Sequence, residues 1–199
     1  MSPPDLGPRA VDALQEVATI GTGHALTALG RLLARRLDMD VPEAWVGQGG
    51  ELAAELLSAL GERLLTVAVR LEGLLAGELV LALPEASAAR LATALGRPAG
   101  EGAFDAGAES ALLESGNIVG SAFVSAIARM LRGRLLLSVP RLARGGAREC
   151  LGALAPGEGA PVALATRFGC AALGLEGLVL VLPEAAPIEP LLAQLRACC

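Results

Sequence analysis

The chain has 199 residues, 53% of them hydrophobic but only 2% aromatic, with 25 glycines and no tyrosine, so its core has to be filled by Leu, Val and Ala. That length suits one ordinary domain or two small, intimately packed halves. Sixteen Lys plus Arg against twenty-one Asp plus Glu leave a net charge of −5, which disfavours a nucleic-acid backbone as partner.

From the start, Met1 to Ala10 carries prolines and an aspartate before Arg9 and lacks the basic-then-apolar order of a secretory signal, so a cytoplasmic location is expected. No apolar stretch runs uninterrupted for the roughly 18 residues of a spanning helix, and no membrane association is predicted. Helical spacing of Ala, Leu, Ile and Val predicts a long helix from about residue 8 to 37. Val41 to Val46 reads as a strand, with Pro42 at its edge or entrance. Glu51 to Leu60 reads as one or two helical turns. Leu64 to Leu71 and Leu74 to Leu83 then read as a hairpin through Glu72-Gly73, and Pro84 is placed to open a short helix.

The same order follows again. A second long helix is predicted from about residue 106 to 134, a strand over Leu135 to Arg141 with Pro140 at a strand edge or entrance, and a Gly- and Ala-rich loop over Ala143 to Pro161. Val162 to Phe168 and Ala172 to Leu182 form a second strand pair, and Pro183 a second helix start. Leu79 to Ala86 (LVLALPEA) recurs as Leu178 to Ala185 (LVLVLPEA), 178 − 79 = 99 residues on, while Asp12 and Ser110, like Pro42 and Pro140, are 98 apart. An internal repeat of this kind fixes architecture before local propensity is consulted. The prediction is an α+β fold over residues 1–199: two helix-strands-helix repeats (about 8–97 and 106–197), related by a pseudo-twofold axis, sharing a mostly antiparallel sheet with the two long helices on one face.

Cys150, Cys170, Cys198 and Cys199 form neither a zinc-like pattern nor a dense disulfide framework and are read as reduced thiols. His24, the lone histidine, receives no role, and Trp45 is assigned to core or rim packing. Arg31, Arg35 and Arg36, like Arg129, Arg132 and Arg134, end their helices, where they complement the negative pole.

At 100° per residue, Ser110 and Glu114 differ by about 40° and Glu114 and Asn117 by about 60°, so the three project from one helix face, continued by Ser121 and Ser125. Any surface helix has a polar strip. This one differs in placing Gly116 and Asn117, two residues that weaken a helix interior, in the middle of a long helical pattern. A carboxylate beside an amide that both donates and accepts is suited to engaging a cation and orienting a water. Phosphoryl transfer needs little more, because it depends on alignment and charge stabilisation. The first repeat offers Asp12, Glu16 and Thr19 at the same spacing.

The pattern Ser110-x3-Glu114-x2-Asn117-x22-Pro140 resembles the signature of the CheC, CheX and FliY phosphatases, which act on phosphorylated CheY in bacterial chemotaxis. Ile20-Gly21-Thr22-Gly23 with Ala28-Leu29 looks like the stretch after the first CheC motif. Two motif copies over the whole chain are closer to CheC than to CheX. The resemblance implies a CheC-like fold and a phosphatase for the aspartyl phosphate of a CheY-like response regulator. In it Glu114 pairs with the regulator's lysine and Asn117 orients the attacking water, with Ser110 and Pro140 in support. It further implies no cofactor of the chain's own, magnesium being held by the partner's receiver domain, and CheD as a second partner. The first copy, Asp12-x3-Glu16-x2-Thr19-x22-Pro42, departs by having Thr for Asn. Its expectation is a weak or dead site in which Glu16 still helps to dock a regulator. The competing reading is a binding module for a phosphorylated receiver domain or CheD, like a flagellar switch middle domain.

Overall fold

A computed structural model describes residues 8–47, 49–99, 104–154 and 162–184. In chain order the elements are α1 (Pro8–Leu32), β1 (Asp38–Met39), β2 (Glu43–Val46), α2 (Gly49–Ser58), β3 (Leu64–Gly73), β4 (Gly77–Pro84) and α3 (Glu85–Ala94). There follow α4 (Ala106–Met130), β5 (Leu135–Leu137), β6 (Arg141–Gly145), α5 (Ala147–Leu154), β7 (Val162–Cys170), a 3-10 turn (Ala171–Leu173) and β8 (Leu175–Pro183).

One eight-stranded sheet runs β1-β7-β8-β4-β3-β5, with β2 also on β7 and β6 also on β3. Every registered pair is antiparallel. Exchanging the repeats turns this order into its own reverse, so the pseudo-twofold axis passes between β4 and β8. The repeats are interleaved rather than adjacent: the first gives β1 and β2 to β7 of the second, and the second gives β5 and β6 to β3 of the first. The change of offset from 98 to 99 falls in the hairpin loops. Leu74 to Ala76 joins β3 to β4, whereas Ala171 to Gly174 joins β7 to β8, with the added residue absorbed by the 3-10 turn and Gly174 at φ 58°.

Period-two alternation divides the apolar side chains of the central strands between two layers. Leu65, Val67, Val69, Leu71, Leu79 and Leu81 face α1 and α4, while Leu64, Ala68, Val80, Ala82 and Leu180 face α2 and α5. On this second face the buried carboxylate of Glu78 takes both oxygens to Arg141 Nη2 at 2.9 Å and has Arg70 beside it. Burial pushes its pKa up, with the two guanidiniums pulling against that. α4 is long and apolar enough to cross a membrane by length and composition. Its apolar residues Leu112, Val119, Phe123 and Ile127 are fully buried in the core shared with α1 and the sheet, as in a core helix.

Several sequence boundaries move. The long helices stop at Leu32 and Met130 rather than 37 and 134, because Ala34 and Arg132 adopt the left-handed conformation at φ 49° and 48°. The C-terminal turn then closes with Arg35 N donating to Gly30 O at 2.9 Å, and Gly133 N to Ala128 O at 3.1 Å, the usual way a helix satisfies its last carbonyls. The first hairpin turns at Leu74 to Ala76, not at Glu72-Gly73. Ala143 to Pro161 is not a loop throughout: it contains the end of β6 and all of α5, the equivalent of α2. A closing helix after Pro84 is present as α3, whereas its counterpart after Pro183, together with Cys198 and Cys199, lies outside the described residues. Cys150 and Cys170 are free and buried.

Candidate functional site

Asp105 starts α4 by accepting a hydrogen bond from Ala108 N at 2.7 Å, satisfying one of the orphan donors of the first turn. The helix then lies against β3 through its smallest residues. A β-carbon built on Gly116 would stand 2.3 Å from Val67 Cγ1, and one on Gly120 would stand 3.0 Å from Val69 Cγ2. Gly116 is therefore required by close packing against Val67.

Fixing Gly116 on the sheet turns the Ser110, Glu114 and Ser121 strip roughly 120–160° away from it. Ser110, Glu114 and Ser121 are exposed, and Asn117, at the margin of the strip, is half-buried. Neither the Glu114 carboxylate nor the Asn117 amide has a hydrogen bond or ion pair to another described residue. Together with Leu113 these four form one wall of an open groove of about 490 Å³ whose other wall is Leu137 to Pro140.

That second wall is shaped by a register shift. β5 pairs Leu137 with Leu71, and Ser138 continues the ladder at Arg70, with Ser138 N donating to Arg70 O at 3.0 Å. β6 resumes with Arg141 opposite Ala68. Two residues, Val139 and Pro140, thus face the single Val69, which is a β-bulge. Proline suits the place, since it has no N–H to give the ladder. Arg70 N also donates to Ser138 Oγ at 2.9 Å, pinning the loop. Val139 is left standing in solvent at 80% exposure. Leu135 to Arg141 is consequently not one strand but two, broken at this bulge.

The first repeat is built the same way, with its side chains arranged differently. Asp40 N donates to Arg167 O at 3.0 Å and β2 resumes with Glu43 opposite Ala165, so Val41 and Pro42 together face Thr166. Val41 is 83% exposed. Asp12, Glu16 and Thr19 share an exposed face of α1, but Thr19 Oγ1 donates to Gln15 O at 2.7 Å, and its hydroxyl is turned back onto its own helix. Gln15 Nε2 bridges to Pro42 O at 3.4 Å, where the second repeat has Leu113. The groove here, about 530 Å³, is lined by Gln15 and Asp40 to Trp45, so Asp12, Glu16 and Thr19 are not brought into it. Trp45 is a rim residue at 42% exposure.

Sequence reasoning brought together Ser110, Glu114, Asn117 and Pro140 and missed Ser138, Val139 and Gln15. The repeated Val-Pro pair was the available signal, but a bulge is visible only once the partner strand's register is known. Among the described residues no group of three or more His, Cys, Asp or Glu is placed to hold a metal.

No protein-family model matches the chain. It is 32% identical over 139 residues to the CheY-P phosphatase CheC of Bacillus subtilis, covering 66% of this chain and spanning 65% of the length of that relative. Its fold is that of Thermotoga maritima FliY, with a TM-score of 0.76 and 19% identity over 98% of this chain and 100% of that one. It is also similar to the CheX-CheY-BeF3-Mg complex of Borrelia burgdorferi (TM-score 0.57, 17% identity, 82% and 96% covered). The FliM middle domain of Vibrio alginolyticus matches at TM-score 0.61 and 14% identity over 92% and 99%.

Proposed function

We propose that the chain belongs to the CheC, CheX and FliY family and that it hydrolyses the aspartyl phosphate of a CheY-like response regulator in chemotaxis. The observation that carries this reading is the pair Glu114 and Asn117, side by side in one open groove with no hydrogen bond or ion pair to another described residue. A receiver domain supplies the phosphoaspartate, the magnesium and a cation beside them. Glu114 engages that cation and docks the partner. Asn117 enters the partner's pocket and holds a water in line with the P–O bond to the aspartate. The water oxygen bonds phosphorus as that bond breaks, leaving inorganic phosphate and the free carboxylate. Neither residue has to titrate near neutrality, since alignment supplies most of the acceleration. The chain brings no cofactor of its own. Ser110 and Pro140 frame the groove in support, the two repeats act as one unit, and the reaction takes place in the cytoplasm.

Phosphate release from the organism's own phosphorylated receiver domains tests the reading, using wild type, Glu114→Ala and Asn117→Ala. Each substitution is expected to cost on the order of 10²-fold, the scale of misplacing an aligned reactant. Equal rates from all three proteins would remove the site.

The Thr19 hydroxyl, bonded to Gln15 O, favours a non-catalytic role for one groove at least. Under a pure binding reading, for a phosphorylated receiver domain or for CheD, saturating protein binds the regulator and leaves its phosphate half-life unchanged. CheD is assigned as a second partner in either case, and co-elution with purified CheD tests it.

A further inference from the structure

We infer that Val139 is an apolar docking contact for the receiver domain, seating the regulator's surface beside its phosphorylated carboxylate so that Glu114 and Asn117 enter in register. The inference rests on the phosphatase reading of the same groove and adds to it a residue that determines binding rather than chemistry.

A single exposed valine needs no explanation. Its recurrence does. In both repeats the strand entering the sheet bulges at a Val-Pro pair, and in both the valine is, among the described residues, the most exposed large hydrophobic residue of its half, at 83% for Val41 and 80% for Val139. The following proline cannot join the ladder, and at Val139 the preceding Ser138 is fixed to Arg70 by its backbone N–H and its side-chain oxygen. The side chain itself is β-branched and stiff at χ1. A rigid apolar tip held in water loses little entropy when a partner covers it, which is the condition for an efficient contact. Its site decides what covers it: Val139 belongs to the same groove wall as Pro140, facing Glu114 and Asn117. Whatever protein brings a phosphoryl group to that pair has to lie over Val139. The complement is an apolar patch on the receiver domain flanking its phosphorylated aspartate.

Such a contact is made equally in the ground and transition states, so it acts on KM and leaves kcat alone. The experiment titrates a beryllofluoride-activated, magnesium-loaded receiver domain from the same organism into wild type, Val139→Ser, Val139→Ile and Val41→Ser, and runs steady-state phosphate release in parallel. Val139→Ser is expected to raise Kd and KM about tenfold with kcat unchanged, Val139→Ile to restore both, and Val41→Ser to leave phosphate release as it was. Thermal melting checks that Val139→Ser folds as wild type does, which its exposure leads one to expect. Weakened binding by Val139→Ser supports the docking role whether or not phosphate is released, so a catalytically silent protein sinks the phosphatase reading alone. Binding within twofold of wild type overturns the docking role, even if Glu114→Ala and Asn117→Ala abolish hydrolysis.

Discussion

Thr19 donates its hydroxyl to the carbonyl of Gln15, one turn back on the same helix, at 2.7 Å. The equivalent residue in the second repeat, Asn117, has a side chain long enough to reach past its helix and is not bonded in this way. Gln15 and Thr19, in place of Leu113 and Asn117, therefore separate two grooves built by the same bulge. Replacing Thr19 by Asn should re-arm the first groove, provided that Gln15, which reaches Pro42 O at 3.4 Å, is changed to Leu as at position 113. In an Asn117→Ala background, Gln15→Leu with Thr19→Asn is expected to raise phosphate release about tenfold, and adding Glu16→Ala to remove the gain. No gain in the double change would mean that the first groove lacks more than an amide.

Gly116 sets how closely α4 approaches the sheet, with Val67 Cγ1 only 2.3 Å from where its β-carbon would be. Val67 is buried and β-branched, so it cannot turn aside, and the helix has to lift. Overpacking of this kind costs about 1–3 kcal/mol, against a gain of up to about 1 kcal/mol for Ala over Gly within a helix. Gly116→Ala is thus expected to destabilise by about 1–2 kcal/mol in urea unfolding. A variant as stable as wild type would show that this helix is not seated on β3 as described.

The repeat was legible because the 98-residue spacing survives in the sequence. The α1/α4, β2/β6, α2/α5 and β3/β7 pairs all begin 98 residues apart. The same spacing places α5 at Ala147 from α2 at Gly49, yet the Gly- and Ala-rich composition of 143 to 161 reads locally as loop and hides it. The strip of Ser110, Glu114 and Asn117 was legible for a simpler reason: helical spacing alone puts three residues on one face. Its second wall was not, because Val139 and Pro140 are displaced by a register change that depends on β3, some seventy residues earlier. Nor does sequence show that Thr19 turns inward to Gln15, since threonine in a helix has two favoured rotamers.

Glu85 opens α3 and pairs with Arg63 Nε at 2.6 Å and with Arg144 Nη2. The Arg144 hydrogen bond, followed by the Arg63 pairing, holds its pKa below the ordinary value of 4.5. A carboxylate with a depressed folded-state pKa binds fewer protons folded than unfolded at low pH. Its contribution is therefore fully present above about 4.5 and is lost as pH falls through the folded-state value. The stability difference between wild type and Glu85→Gln should be constant near neutrality and shrink on acidification below pH 4.5 in urea titrations. A difference that is the same at pH 3 and pH 7 would assign the effect to shape rather than charge.

Ala34 and Arg132 occupy equivalent left-handed positions, φ 49° and 48°, just past the ends of α1 and α4. The conformation lets Arg35 N reach Gly30 O at 2.9 Å and close the helix, but a side chain there crowds its own backbone, at about 1–2 kcal/mol. Glycine avoids that penalty while losing more freedom on folding, which returns part of the gain. Ala34→Gly is therefore expected to stabilise by about 0.5–1 kcal/mol, a rise of roughly 1–4 °C in Tm for a chain of this size. Ala34→Val should do the reverse, since a β-branched residue is a true outlier at positive φ. Arg132→Gly should add nearly independently, because the two turns close different helices and share no hydrogen bond. If Ala34→Gly lowers Tm while Ala34→Val leaves it unchanged, the left-handed closure of α1 is not the conformation of the folded protein.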